Sequence, residues 1–136
     1  MTRRGRERGS AAVELVLVAP ILVAMILIVV AGGRMVAARG HVNDAAYAAA
    51  RAASLDANPD RALISGIDAA HDALADRGKS CANLTVSFAG TDLQPGGQVR
   101  VVATCVADLK DVAGFGIPGQ KTYEATAVVP IEEHRL

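Results

Sequence analysis

Tryptophan is absent from this 136-residue chain, aromatic residues make up 3%, and the formal net charge is zero. The 51% hydrophobic share is therefore mostly aliphatic, and the small side chains that dominate it leave a domain of this length with little core. Fourteen basic residues against 14 acidic ones give no basic excess for nucleic acid, so no nucleic-acid partner is expected. The only cysteines are Cys81 and Cys105. With His41, His71 and His134 scattered along the chain, they lack the spacing of a zinc site. Gly114, Gly116 and Gly119 formally match G-x-G-x-x-G, but Pro118 interrupts the motif and a strand rather than a helix follows, so a dinucleotide loop is excluded. Serine, histidine and acidic residues form no nucleophile motif, and Glu132-Glu133 reads as a terminal charge pair. The sequence predicts neither an enzyme nor a cofactor.

One long apolar run is present. From Ala11 to Gly33 the only ionisable residue is Glu14, and at ~1.5 Å per helical residue the run exceeds the ~30 Å hydrocarbon layer of a bilayer. The expectation is a single transmembrane helix over residues 10–33. Arg3, Arg4, Arg6 and Arg8 precede it against Glu7 alone, a short basic flank that stays cytoplasmic. Residues 34–136 then form an extracytoplasmic domain. Beyond Glu14 the chain carries 10 basic and 12 acidic residues, because four of the 14 and two of the 14 lie at or before it.

Glu14 separates three readings of this N-terminus. A secretory signal peptide would use Ala31-Gly32-Gly33 as its cleavage site, but the run is too long for one and contains a carboxylate. In a plain anchor Glu14 snorkels to the interface. In the third reading the chain is cut between Gly9 and Ser10, ahead of the apolar run, so that residues 1–9 are a basic leader and the helix stays in the product. The order of basic tail, Gly9, Ser10, small residues, Glu14 and apolar core resembles the prepilin leader of type IV pilins and pseudopilins, with Glu14 at mature position five. The Ser10 α-amine freed by cleavage would compensate the Glu14 carboxylate, either from a neighbouring subunit or within one helical turn of the same chain.

Pro20 removes a backbone donor and is expected to kink or loosen the helix near Val16 to Pro20. Beyond the span, Met35, Ala38, Val42, Ala45, Ala49 and Ala52 recur at threes and fours, so the helix is predicted to continue to about Leu55 with one small-residue stripe facing the core. Asn58 and Pro59 suit the N-cap and first position of a second helix. Its apolar face is predicted at Leu63, Ile67, Ala70 and Leu74, its polar face at Asp68, Asp72 and Asp76, and its C-cap at Gly78. His71, beside the apolar face, reads as a packed or surface residue. From Asn83 the period becomes two. Leu84, Val86 and Phe88 mark one strand, Val99, Val101, Ala103, Cys105, Ala107 and Leu109 a second, and Tyr123, Ala125, Ala127, Val129 and Ile131 a third. The fold class is α+β: a long N-terminal helix, a second amphipathic helix and a small three-stranded antiparallel sheet in a pilin-like layer. In an oxidising compartment Cys81 and Cys105 are expected to pair. The apolar loop 112–117, with Val112, Phe115 and Ile117, either packs over the sheet edge or meets a partner.

Three stretches together, R-G-S-A-A-V-E-L-V-L-V-A-P-I-L from Arg8, A-A-Y-A-A-A-R-A-A-S from Ala45 and T-Y-E-A-T-A-V-V-P-I-E-E from Thr122, resemble the TadE-like family of tight-adherence (Flp pilus) pseudopilins. The resemblance implies processing at Gly9-Ser10 by a prepilin peptidase and Glu14 as the mature glutamate that serves subunit assembly. It implies a minor subunit in pilus biogenesis. The implied partners are the membrane, other pilins and pseudopilins, and the inner-membrane assembly platform, with location in the cytoplasmic membrane or a surface pilus. The competing class is an uncleaved single-pass membrane protein whose exterior domain is a binding module.

Overall fold

The computed structural model describes residues 7–75, 77, 81–114, 116 and 118–133. Helix α1 (Glu7–Leu55) is followed by α2 (Pro59–Ala75), strand β1 (Asn83–Ser87), strand β2 (Gln98–Asp108), a short helix α3 (Leu109–Ala113) and strand β3 (Gln120–Pro130).

Helix α1 has two halves of different chemistry. Its N-terminal half is apolar and uncovered, with Val16 71% and Ile28 70% exposed. No residue in its most apolar 18-residue window is buried, and the helix is long and apolar enough to cross a membrane. The α-helix is continuous through Pro20. From Ala38 onward the same helix enters the core. Ala38, Val42, Ala45 and Ala49 of the expected stripe are buried, and Ala46, Ala50 and Ala53 join them. The stripe widens because α1 is covered by α2 as well as by β2 and β3. Ala52 and Met35 lie at its margins, half-buried.

The turn from α1 into α2 is fixed by side chains. Asn58 Oδ1 accepts the backbone N–H groups of Asp60 at 3.0 Å and Arg61 at 3.3 Å, the expected N-cap. Asp56 accepts the Asn58 N–H at 3.0 Å and the Ser65 hydroxyl at 3.2 Å, and its carboxylate faces Arg61. The Asn58 N–H, with Arg61 and Ser65 behind it, holds the Asp56 carboxyl below its ordinary pKa.

The apolar face expected for α2 is displaced. Ala70 is buried and Leu74 packs half-buried against the core as expected, but the other buried residues are Ala62 and Gly66, and Leu63 and Ile67 remain 37% and 38% exposed. The small residues bring the two helices close together, and the larger aliphatic ones are left at the rim. A Cβ built at Gly66 would stand 2.6 Å from Phe88 Cζ and 3.0 Å from the Ala49 carbonyl oxygen. The Phe88 ring end can swing away, but the Ala49 carbonyl belongs to α1 itself. Gly66→Ala is therefore expected to be nearly neutral, because a helix-propensity gain of about 1 kcal/mol offsets the tight contact. Gly66→Leu is expected to cost about 2–3 kcal/mol by overpacking. Thermal unfolding of both variants followed by circular dichroism checks the difference. On the polar side Asp68 and Asp72 are exposed as expected; Asp76 and Gly78 lie outside the described residues.

The sheet has the order β1-β2-β3 with both pairs antiparallel. Leu84 faces Cys105, which faces Tyr123. Inward positions Val99, Val101, Ala103, Cys105 and Ala107 are buried against the helices, while the outward Thr122, Glu124 and Thr126 are exposed. Leu109 does not continue β2. It opens α3, which ends at Gly114 with φ 75°, whose N–H donates to the Lys110 carbonyl. That left-handed cap suits glycine, and it turns part of the expected loop into helix. Val112 is buried there, packing inward; Phe115 and Ile117 lie outside the described residues.

Candidate functional site

Two sets of sequence-singled residues sit at opposite ends of the molecule. At the N-terminal end Gly9, Ser10 and Glu14 all lie in α1 and are exposed. Ser10 and Glu14 are four residues apart, so they share one helix face, one turn from each other. Glu14 is followed by an apolar surface that includes Leu15, Leu17 and Ile21. Among the described residues Glu14 has no hydrogen bond or ion pair. Gly9 has no atom within 4 Å of a Cβ placed on it; its side of the helix is open. Leader residues 1–6 lie outside the described residues.

In the α+β domain Cys81 and Cys105 are joined in a disulfide, with Cα atoms 5.6 Å apart. Cys105 is buried at the centre of β2, and Cys81 is half-buried ahead of β1. The bridge thus ties the start of the edge strand to the middle of the sheet. His71 lines one cavity with Cys81, but among the described residues no group of three or more histidine, cysteine or acidic side chains could hold a metal. His134 lies outside the described residues. His71 is exposed at the C-terminal end of α2.

Two polar atoms were not singled out by the sequence. The Tyr123 hydroxyl and His41 Nδ1 are buried without a hydrogen-bond partner. Tyr123 is 6% exposed, and its burial pushes the hydroxyl pKa up. It stands on β3 with Lys121, whose Nζ lies 5.7 Å from the Tyr123 ring centroid. Strand alternation gives Tyr123 an inward direction, but nothing in the sequence places it beside α1.

No curated protein and no solved structure matches the chain. A family model does, described as TadE-like protein, over residues 9–51. That stretch begins at the glycine ahead of Ser10, contains Glu14 and the whole apolar run, and ends where α1 is packed in the core. The match makes residues 9–51, less than half of the chain, similar to a TadE-like segment.

Proposed function

We propose that the protein is a minor pseudopilin-like subunit in the biogenesis or assembly of a tight-adherence pilus. A prepilin peptidase cuts it between Gly9 and Ser10, and α1 keeps it in the cytoplasmic membrane. Its N-terminus is cytoplasmic and its α+β domain, from about residue 34, is extracytoplasmic. The observation that carries this reading is the placement of G-S-A-A-V-E inside the TadE-like match, at the entry to an apolar helix whose flanks are uncovered. A secretory signal would lose that helix on cleavage; this leader leaves it attached to the domain. The retained helix gives the mature subunit an apolar rod with which to pack among other pilins and pseudopilins or on the assembly platform.

The chemistry at the cut follows from the same placement. Cleavage leaves a cationic α-amine on Ser10 one turn from Glu14, and pairing of the two, between or within subunits, keeps both charges compensated at the membrane edge. Mass spectrometry of the membrane-bound protein from cells that contain the peptidase is expected to show a mature chain starting at Ser10. A chain that still begins at Met1 or Thr2 under those conditions rejects cleavage and favours an uncleaved anchor bearing a binding module. Gly9→Ala is expected to slow processing mildly, since a methyl group has open space there, and Gly9→Phe to block it.

A further inference from the structure

We propose that the cavity between α1 and β3, at the membrane-facing foot of the domain, binds the phosphodiester of a membrane phospholipid, an inference that rests on α1 being the membrane span. The cavity, of about 340 Å³, is lined by Met35, Val36, Arg39, Lys121, Tyr123 and Glu124 among others.

Its height comes from the helix. The apolar run ends at Gly33. At ~1.5 Å per residue, Met35 and Val36 stand roughly 3–5 Å above that point and Arg39 about 9 Å. The headgroup layer occupies roughly 5–7 Å on each side of the hydrocarbon. Helical side chains lean toward the N-terminus, so Arg39 reaches back down into that layer. Val36 is 74% exposed and with Met35 gives the cavity an apolar base where the glycerol and first acyl carbons of a lipid would lie.

Its chemistry is that of an anion site with one carboxylate. Arg39 and Lys121 are exposed, and among the described residues neither has an ion-pair partner, so both cations are available to a phosphate. The Tyr123 hydroxyl is a buried donor without an acceptor, an arrangement proteins avoid unless a ligand or water completes it. In the free protein this hydroxyl is closed off, and movement of the exposed Lys121 side chain, whose Nζ lies 5.7 Å from the Tyr123 ring centroid, lets a phosphate oxygen reach it. The Glu124 carboxylate acts against a dianion and tolerates a singly charged phosphodiester, which selects a lipid headgroup over free phosphate. On the other side of α1, Arg34 is exposed at the same level and likewise has no ion pair among the described residues. A Cβ at Gly114 would strike its guanidinium, so the end of α3 is held at the headgroup level as well.

The domain thus rests on the bilayer surface in addition to hanging from the helix, which limits its tilt. The test uses the full chain extracted in mild detergent, with phosphatidylglycerol as the probe and native mass spectrometry as the readout. Wild-type protein is expected to retain phosphatidylglycerol. The double variant R39A/K121A is expected to bind it on the order of 30-fold more weakly, from the loss of two surface cations. Tyr123→Phe, which keeps the ring packing, is expected to weaken it severalfold, and R39K to restore most of the binding lost in R39A. Carbonate extraction of the same membranes separates the two readings. A wild-type chain released into the soluble fraction removes the membrane span and this inference with it. Retained variants that bind the lipid as well as wild type overturn the lipid site alone. Displacement of the lipid by millimolar inorganic phosphate overturns it too, in favour of a free-anion site.

Discussion

Breaking the Cys81–Cys105 bridge is expected to lower the stability of the α+β domain by about 3–4 kcal/mol in the chain-entropy model, for a bridge that closes a sequence separation of 24. For a domain whose core is built largely from alanine and valine, that is a large part of the total. The loss is not symmetric between the two positions. Cys81 is half-buried, so Cys81→Ser loses the crosslink alone. Cys105 is 1% exposed, and Cys105→Ser also places a hydroxyl in the core, an additional cost of roughly 1–3 kcal/mol if it finds no partner. β1 is the first element to respond. It has five residues at the sheet edge, and α2 covers little of it, so β2 and the bridge are its main attachments. Alkylation without reduction is expected to leave both thiols unlabelled in the native protein. Hydrogen exchange after mild reduction is expected to expose the amides of Asn83–Ser87 before those of β2 and β3. Equal destabilisation by the two serine variants, or uniform exchange across the sheet, contradicts this account.

The bridge was legible in the sequence because two cysteines in a domain expected to lie outside the cytoplasm have few other uses. The apolar span, the N-cap at Asn58 and the inward set of β2 were legible for similar reasons: each is a strong local signal that tertiary packing had no cause to override. The face of α2 was not. Leucine and isoleucine dominate any hydrophobic periodicity, yet close helix approach selects the smallest side chains, and Gly66 carries no apolar signal at all. Leu109 misled in the same way, since it continues the alternation of β2 in phase while the chain has already turned into α3. The cavity beside Tyr123 had no sequence signature. Its cations come from α1 and β3, more than 80 residues apart along the chain, and only the docking of helix on sheet puts Arg39 near Lys121. At the N-terminal end the sequence carries more than the fold does, because the role proposed for Glu14 needs the Ser10 amine that cleavage would free.

Glu14→Ala is expected to abolish entry into the pilus assembly while leaving insertion and processing intact. Insertion improves if anything, since a carboxylate is removed from the start of an apolar helix. Processing at Gly9-Ser10 continues because Gly9 and the basic leader are unchanged. What changes is the mature end. With no carboxylate one turn away, the Ser10 amine of each neighbouring subunit has to enter an apolar helix bundle unpaired. Removing one partner of a buried charge pair costs about 3–5 kcal/mol, or more than a hundredfold in docking equilibrium. Glu14→Gln separates charge from shape: it keeps the side-chain length and a hydrogen-bonding oxygen but not the charge, and is expected to lie between wild type and Glu14→Ala. A plain anchor makes the opposite forecast. There Glu14 only snorkels toward water, both substitutions are harmless, and the more apolar helix is held at least as firmly. The measurement is crosslinking or co-purification of the mature variants with the other pilus subunits, scored beside the mass of the N-terminal peptide. Normal incorporation of a fully processed Glu14→Ala chain would leave the carboxylate without an assembly role, and the Ser10 amine would then have to be satisfied by solvent at the membrane edge.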